Sequence, residues 1–508
     1  SLLLYLLGRL HREWQLYVQR FANALGFEAK VRVYEEAVSW VLERQRQDLN
    51  EQIVGLETED LRQVLREAAL CVTQSGNETA QMSILKRRFT DSSNPIAGLL
   101  KQAQKETEKT EDKALNNLLT AFYLKPGEGD RTGSVEFAHK SFGEFLFAER
   151  LQVAFKDWTE PDSRGRLRMS EAEVARQVYD LLGYGTLTAE VIEYLEEKLF
   201  VAVSSVNDLV PLFHRLKQFY EDWCDGTFID SVPSENWPQI KMMQMQVAEI
   251  VTGLRQVDIH AGLNVLLLLF VLHGYGRRHV RLGDVTPLDF HPCGDPNSQS
   301  MDREKLKRII GYSQLIRLDY FSSAVGRHLQ HVDLRYTDLR YVDLHNASLK
   351  FADLRSADLN DADLHSADFR YANLSSTYLS SVYLSSADLR YANLHSADLS
   401  SATLRHADLS IANLHSADLR YAYLSYADLS SADLRAAEFR YAYLSYANLS
   451  SADLRAANFR HADLSYANLS AADLSDIRFN EETNWEGVRG LETAKNVPDK
   501  LKKQLGLS

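Results

Sequence analysis

Between residues 332 and 479 the apolar positions recur every fifth residue without a gap. In steps of five from Leu334, through Phe369, Phe439 and Phe459 to Phe479, every residue is Leu or Phe. Two places before each stands Ala, replaced only by Val332, Thr337, Val342, Thr377, Val382 and Ile477. Residues two apart in an extended chain face the same way, so the Ala and the Leu point inward and the Asp or Asn between them points out. The remaining two residues, often Ser, Arg, His or Tyr, turn a corner. Four such sides close a square coil of about twenty residues, and coils stacked at roughly 4.8 Å hydrogen-bond as strands do. Small Ala suits a narrow axis where four chains meet. The thirty units from 334 to 479 then predict a rod roughly 35 Å long, each buried Leu contributing about 1.5 to 3 kcal/mol.

Upstream the periodicity is helical. Residues 34–46 and 58–72 are amphipathic, the second with Leu61, Val64, Leu65, Ala68 and Val72 on one face and Thr58 as its N-cap. Ser92 to Pro95 breaks the pattern, and 101–113 is a charged stretch. Residues 118–125 and 134–139 predict two short strands around the turn 126–133, and Ser141-Phe-Gly-Glu144 is a capping box opening the next helix. Helices, a hairpin and a closing helix together suggest a winged-helix fold. Further helices are predicted at 173–182, 189–199, 206–223, 239–254 and 261–273, with Asp284 to Ser300 as the clearest loop. After Phe479, Trp485, Val488, Leu491, Leu501 and Leu505 predict a helical cover over the last coil, because an open β-helix end exposes unpaired strand edges. The predicted fold is thus a multidomain α+β chain. A winged-helix-like domain (1–157) and an α-helical domain (158–326) precede a right-handed quadrilateral β-helix (327–480) and a C-terminal helical cap (481–508).

Composition narrows the function. The 508 residues carry a formal charge of -13, spread along the chain, which argues against a general nucleic-acid binder. Cys71, Cys224 and Cys293 are few, distant and odd in number, so a reducing cytoplasm is the expected setting. Residues 2–7 are apolar but lack a basic leader and a cleavage site, and the run Leu263 to Leu272 is too short to span a bilayer. No membrane association is expected. Ser1 falls inside what reads as a helix, as if the true beginning lay upstream. No G-x-x-x-x-G-K-S/T stretch occurs in the chain, so no phosphate-cradling loop is present and no catalysis is expected.

The A(D/N)LXX units resemble the pentapeptide-repeat family, whose repeats form a right-handed quadrilateral β-helix. A second resemblance lies in Phe137-Ala-His-Lys-Ser-Phe-Gly-Glu-Phe-Leu-Phe-Ala148. It is similar to the FxHxSFxEFLxA motif ending the winged-helix domain of NACHT-type (STAND) signal-transduction ATPases, and Leu2-Leu-Leu-Tyr-Leu-Leu7 is similar to the helix that begins that domain. The chain therefore resembles the C-terminal part of a bacterial, cyanobacterial-like NACHT ATPase bearing pentapeptide repeats. That resemblance implies that His139 reaches the β-phosphate of bound ADP and holds the closed state. It also implies an upstream NACHT domain as partner, ADP or ATP as nucleotide of the longer protein, and signalling or defence as output. The proline that usually precedes the Leu run is replaced by Ser1.

Other candidates carry less. Lys86-Arg87-Arg88 could touch DNA phosphate, but the surrounding domain mixes signs. His291 and Cys293 have no second pair at metal-ligand spacing, and Met242, Met243 and Met245 fit core filling. On the rod, positions twenty apart should stack. Arg420, Arg440 and Arg460 form one column, Tyr421 and Tyr441 another, and Tyr426, Tyr446 and Tyr466 a third, with Tyr423 and Tyr443 between. Aromatic and Arg side chains dominate binding hot spots; the same tyrosines could simply stabilise neighbouring coils, and Asp398, Asp418 and Glu438 could neutralise the arginines. The leading expectation is the regulatory and sensor part of a NACHT switch whose rod binds a protein or ligand. Two alternatives are a DNA-mimicking topoisomerase-binding protein and a free-standing scaffold. Residues 331–480 hold 19 acids against 13 Lys and Arg, a net of -6 with interleaved signs, which imitates phosphate poorly.

Overall fold

The computed structural model describes residues 31–32, 34–36, 38–39, 42, 57–76, 79–91, 94, 96–99, 101, 124–126, 134–137, 140–201, 203–280, 286–299 and 301–506. It divides into two units, Ser1–Gly262 and Leu263–Ser508.

Among the described residues the first unit is helical with one small sheet. Its elements run α1 (Thr58–Gln74), β1 (Thr79–Gln81), α2 (Met82–Thr90), β2 (Leu124–Pro126), β3 (Ser134–Phe137), α3 (Lys140–Thr159), α4 (Glu171–Leu182), α5 (Ala189–Val201), α6 (Val210–Cys224) and α7 (Trp237–Val247). The strands are antiparallel in the order β1-β3-β2, with Thr79 opposite Glu136 and Leu124 opposite Phe137. Helix α1 buries Leu61, Val64, Leu65, Ala68 and Val72 as its periodicity requires. Its N-cap is Glu57 rather than Thr58, and the Glu57 N–H donates to Asp60 at 2.9 Å. Helix α3 includes Lys140, one residue before the predicted capping box, so Ser141 is already helical rather than the cap, and Glu144 accepts from the Thr188 hydroxyl at 3.2 Å. Ser170 caps α4: its Oγ accepts from Glu173 N–H at 3.3 Å, and the Glu173 carboxylate accepts from Ser170 N–H at 2.9 Å. Helix α7 stops at Val247, short of the predicted 254, because Glu249 turns the backbone into the left-handed region at φ 60°.

A buried ion cluster ties these helices together. Glu149 on α3 accepts from Arg62 and Arg66 on α1 and, at 2.9 Å, from Lys198 on α5. Burial pushes its carboxyl up, but the Arg62 hydrogen bond and the Lys198, Arg62 and Arg66 charges outweigh it and hold the pKa at about 2.

Helix α8 (Leu254–Arg278) contains the unit boundary. By length and composition it could cross a membrane, unlike the ten-residue run singled out in the sequence. Its apolar window is wholly buried, and Asp258, His260, Asn264 and His273 lie buried along it, which is how a core helix reads.

In the second unit α9 (Lys305–Ser313) and α10 (Tyr320–Ala324) lead into the repeats. Parallel β-bridges join residues twenty apart, from Asp333 with Asp353 through Asn458 with Arg478. The coil is therefore twenty residues long, with four bridge ladders. Every Leu or Phe of the column from Leu334 to Leu474 is buried. The first coil's edge is covered by the segment before it: Asp338 N–H donates to Arg303 O at 2.9 Å, Ser348 N–H to Gly326 O at 2.8 Å, and Ser322 Oγ to Asp343 O at 2.7 Å. At the far end a helical cover is expected straight after Phe479, yet the ladder continues for most of another coil. Asp463 pairs with Asn484, Asn468 with Arg489 and Asp473 with Lys495. One inserted residue shifts the register, so Thr483 takes the Ala place and Trp485 the Leu place, both buried, and a second insertion precedes Lys495. Among the described residues there, only α11 (Asp499–Gln504) is helical.

In a unit with an Asp or Asn cap every backbone N–H is satisfied, as residues 418–422 illustrate. Asp418 N–H donates to Ala397 O (2.9 Å), Leu419 N–H to Glu438 O (2.8 Å), Tyr421 N–H to Arg440 O (3.1 Å) and Ala422 N–H to Leu419 O (3.1 Å). The fifth, Arg420 N–H, reaches the Asp418 carboxylate at 3.1 Å. The recurring Asp or Asn is thus a corner cap, an Asx turn, and not merely an outward polar residue. The cost of the corner is conformational. Every fifth residue from His331 to Asp476 is left-handed, with φ between 55° and 63°, and none is Gly.

Candidate binding face of the solenoid

Two corner columns and the bridge ladder between them bring the sequence-selected tyrosines together. One corner carries Arg420-Tyr421, Arg440-Tyr441 and Arg460-His461; the other carries Arg405-His406, Ser425-Tyr426, Ser445-Tyr446 and Ser465-Tyr466. Between them Thr403, Tyr423, Tyr443 and Asp463 form one ladder. The rings stack face to face along the rod: Tyr421 with Tyr441 at 5.0 Å, Tyr423 with Tyr443 at 5.0 Å, Tyr426 with Tyr446 at 5.0 Å and Tyr446 with Tyr466 at 4.9 Å. Their planes lie within 10° of one another. The spacing is that of the coils, so the backbone sets it. The seven tyrosines remain 38% to 54% exposed, which presents ring edges and hydroxyls outward. Tyr466 hydroxyl donates to Glu486 at 3.1 Å, which raises its pKa.

The arginines behave differently from the tyrosines. Arg420 Nε lies 2.8 Å from the Asp418 carboxylate and Arg440 Nε 3.0 Å from Glu438. The hydrogen bond and charge of Asp418 raise the Arg420 pKa. The same i to i+2 pair recurs at Asp333-Arg335, Asp338-Arg340, Asp353-Arg355, Asp368-Arg370, Asp388-Arg390, Asp433-Arg435 and Asp453-Arg455. Neutralisation along the rod, the plainer of the two expectations, is therefore what Arg420 and Arg440 do. Arg460 follows Asn458 instead of an acid.

Members of the face outside the first selection follow the same spacing of twenty. His406 stacks on Tyr426 at 5.2 Å, His461 stacks on Tyr441 at 4.5 Å, and Arg405 lies 5.9 Å over the Tyr423 ring. A second ladder, His331, Phe351, Tyr371 and Tyr391, runs along another corner of the N-terminal coils at 4.8 to 5.1 Å. His139 lies outside the described residues. His291 Nδ1 is 3.6 Å from Asp333, and Cys293 is buried.

Tyr423 and Tyr443 also break the repeat's own rule. At their positions an Asp or Asn would cap the following corner, as Asp398 does for Ser400 N–H at 3.0 Å. Tyrosine supplies no such acceptor for Ser425 and Ser445. Tyr378 and Tyr383 occupy the same kind of position in earlier coils and are likewise exposed.

Comparison with known proteins agrees with the periodicity. The family described as pentapeptide repeats matches in eight copies, over residues 328–365, 347–382, 367–405, 397–435, 412–445 and 437–476. Among solved structures, HetL, a pentapeptide repeat protein involved in heterocyst differentiation regulation from the cyanobacterium Nostoc sp. strain PCC 7120, is 32% identical. The match covers 34% of this chain and 90% of HetL, with a TM-score of 0.22. A further pentapeptide repeat protein of that Nostoc strain is 35% identical over 25% of this chain and 83% of its own, with a TM-score of 0.15. QnrB1, a plasmid-mediated fluoroquinolone resistance protein, is 22% identical over 30% of this chain and 82% of its own, with a TM-score of 0.24. A search of curated proteins found no match. With the five-residue period, the stacked coils and the HetL identity over nine-tenths of that protein, the chain belongs to the pentapeptide-repeat family.

Proposed function

We propose that this chain is the non-catalytic regulatory and sensor portion of a NACHT-type signal-transduction ATPase, whose solenoid binds a protein partner through the tyrosine face between residues 401 and 466. The observation that carries the binding role is the pair Tyr423 and Tyr443, exposed on bridge positions where the repeat's own logic calls for Asp or Asn. Tyrosine gives contact area at low entropic cost, and its hydroxyl adapts to polar partners. HetL, by its name a regulator of differentiation, is consistent with a regulatory role for such a rod. Four bridge ladders per coil support the four-sided coil that the family implies.

The switch half of the proposal rests on the order helix, strand, helix, two strands, helix, with the first strand pairing against the last. That order among the described residues supports a winged-helix reading, and β3 opens on the motif that ends at Ala148. In the longer protein an upstream phosphate loop would cradle ADP, and His139 would donate to its β-phosphate. The three free cysteines fit a reducing, cytoplasmic setting.

The decisive experiment is immunoprecipitation of the native polypeptide with an antibody to the repeat, followed by mass measurement and peptide sequencing. A much larger chain containing a G-x-x-x-x-G-K-S/T peptide and retaining ADP is expected, with retention lost in His139→Ala. A native product of the present length would refute the switch. The alternative, a DNA-mimicking topoisomerase partner, is disfavoured because many of the rod's acids are paired with an Arg two residues later. Inhibition of gyrase supercoiling at micromolar protein would revive it.

A further inference from the structure

The charge on the side of the rod next to the tyrosine face is polarised along its length. On the ladder running from Asp338 to Arg478, the coils from 418 onward carry Arg420, Arg440, Arg460 and Arg478 against only Asp418 and Glu438. That is four cations against two anions, a local excess of two positive charges in a rod of net -6. The pairing shows where the excess sits. Glu438 serves three donors at once: Arg440 at 3.0 Å, Asn458 Nδ2 at 2.8 Å and Arg478 at 3.1 Å. Arg460, the next residue up the column, is exposed and has no acid two residues before it, since Asn458 is spent on Glu438. Its corner neighbour His461 stacks on Tyr441 and is engaged by Glu482 at 2.8 Å, and Glu482 also accepts from Asn480. The nearest acid on that corner is thus already committed. A guanidinium that is exposed and unneutralised, beside stacked aromatics, is the arrangement that charged hot spots use.

We propose that Arg460, supported by the Arg440-Glu438-Arg478 cluster, is the anion-accepting end of the tyrosine face, and that the protein docking there presents a carboxylate-rich, extended segment. This rests on the proposed binding role of the face and names its partner's chemistry. Single-stranded nucleic acid, the other polyanion, fits less well. Base stacking needs open ring faces, whereas the rings of this ladder cover one another at about 5.0 Å and offer edges. On the same ladder the N-terminal coils carry Asp338, Asp358 and Asp398, of which Arg340 reaches only the first two, so the acidic end of the partner lies beside Arg440 and Arg460 rather than over those coils.

The test uses the full chain and fluorescein-labelled peptides of about ten residues, long enough to cross the face. One alternates Glu and Tyr, one alternates Lys and Tyr, and an oligothymidylate of similar length serves as the nucleic-acid probe. Anisotropy should show binding of the Glu-Tyr peptide only, weakening as salt is raised. Arg460→Glu should weaken it at least about tenfold, and Tyr443→Ser should weaken it as well, with circular dichroism confirming that both variants keep the fold. If Tyr443→Ser weakens binding but Arg460→Glu does not, the acidic-partner inference is overturned while the face stands. If neither substitution matters, or no peptide binds, both fail. Tighter binding of oligothymidylate than of the Glu-Tyr peptide would overturn the inference in favour of nucleic acid.

Discussion

If the recurring Asp or Asn caps its corner, Asp398 offers a clean test. Its carboxylate accepts from Ser400 N–H at 3.0 Å, and no Arg pairs with it. Asp398→Ala leaves that N–H without its acceptor in a half-buried corner. An orphaned donor costs about 1 to 3 kcal/mol when buried and less when partly wet, so a loss of about 1 to 1.5 kcal/mol is expected. Asp398→Asn keeps an acceptor oxygen at the same place and removes like charge from Asp418 directly above, so it should match or slightly exceed the native stability. For a structure of roughly 150 to 250 residues, 1 kcal/mol moves Tm by about 2 to 4 °C. Calorimetry of the two variants should therefore separate them by about 2 to 6 °C, with Ala the lower. Hydrogen exchange should place the loss near Ser400 and its stacked neighbours, because each coil contacts only the next. Equal stability of the Ala and Asn variants would refute the capping role and return the Asp to a solvated outward residue.

Three further perturbations probe other parts. Ile411 is β-branched, 49% exposed and left-handed at φ 61°; Ile411→Asn should stabilise by about 0.5 to 1 kcal/mol in urea unfolding, since Asn tolerates that conformation and β-branched residues resist it. Glu149→Leu should destabilise the first unit by about 3 to 5 kcal/mol, because it leaves the largely buried Arg62 without its carboxylate and Lys198 with Glu35 alone, and a neutral outcome would remove the cluster's structural role. Burial pushes His260 and His328 from the ordinary 6.5 down to about 4, and burial likewise lowers His273 and His331. Because the folded values lie below the unfolded one, their contribution is fully present above about pH 6.5 and is lost as pH falls towards 4. Thermal scans across that window should show the decline, blunted in His260→Gln and in His328→Gln; scans flat between pH 7 and 4 would contradict it.

The solenoid was legible because its constraint is strictly local and repeated. Ala and Leu fall on fixed positions, so the inward columns and the spacing of twenty follow from counting, and the tyrosine stacks follow from the spacing. The end of the rod was less legible. A single inserted residue before Thr483 breaks the count while the ladder persists, with Trp485 filling the place of a Leu. In the helical unit, amphipathic faces such as that of α1 located the elements, whereas α7 ended where Glu249 adopts a left-handed backbone and Ile250 N–H donates back to Met245 O at 2.9 Å, a local C-terminal motif without the usual Gly to announce it.

The arginines show why surface function is harder to read than architecture. Counting by twenty placed Arg420, Arg440 and Arg460 in one column and made them look equivalent. Counting by two separates them, because the side chain that decides each arginine's availability is the one at i-2, across the corner cap. Asp418 and Glu438 occupy that place for the first two, and Asn458 for the third. The cap tolerates Asp and Asn alike, since either oxygen accepts the corner N–H. The choice between them is therefore free of the fold and sets the charge of the corner. In a repeat of this kind the Asp-or-Asn position sets surface charge without disturbing the coil, and at Asn458 it leaves the Arg460 guanidinium without the acid that Arg420 and Arg440 have.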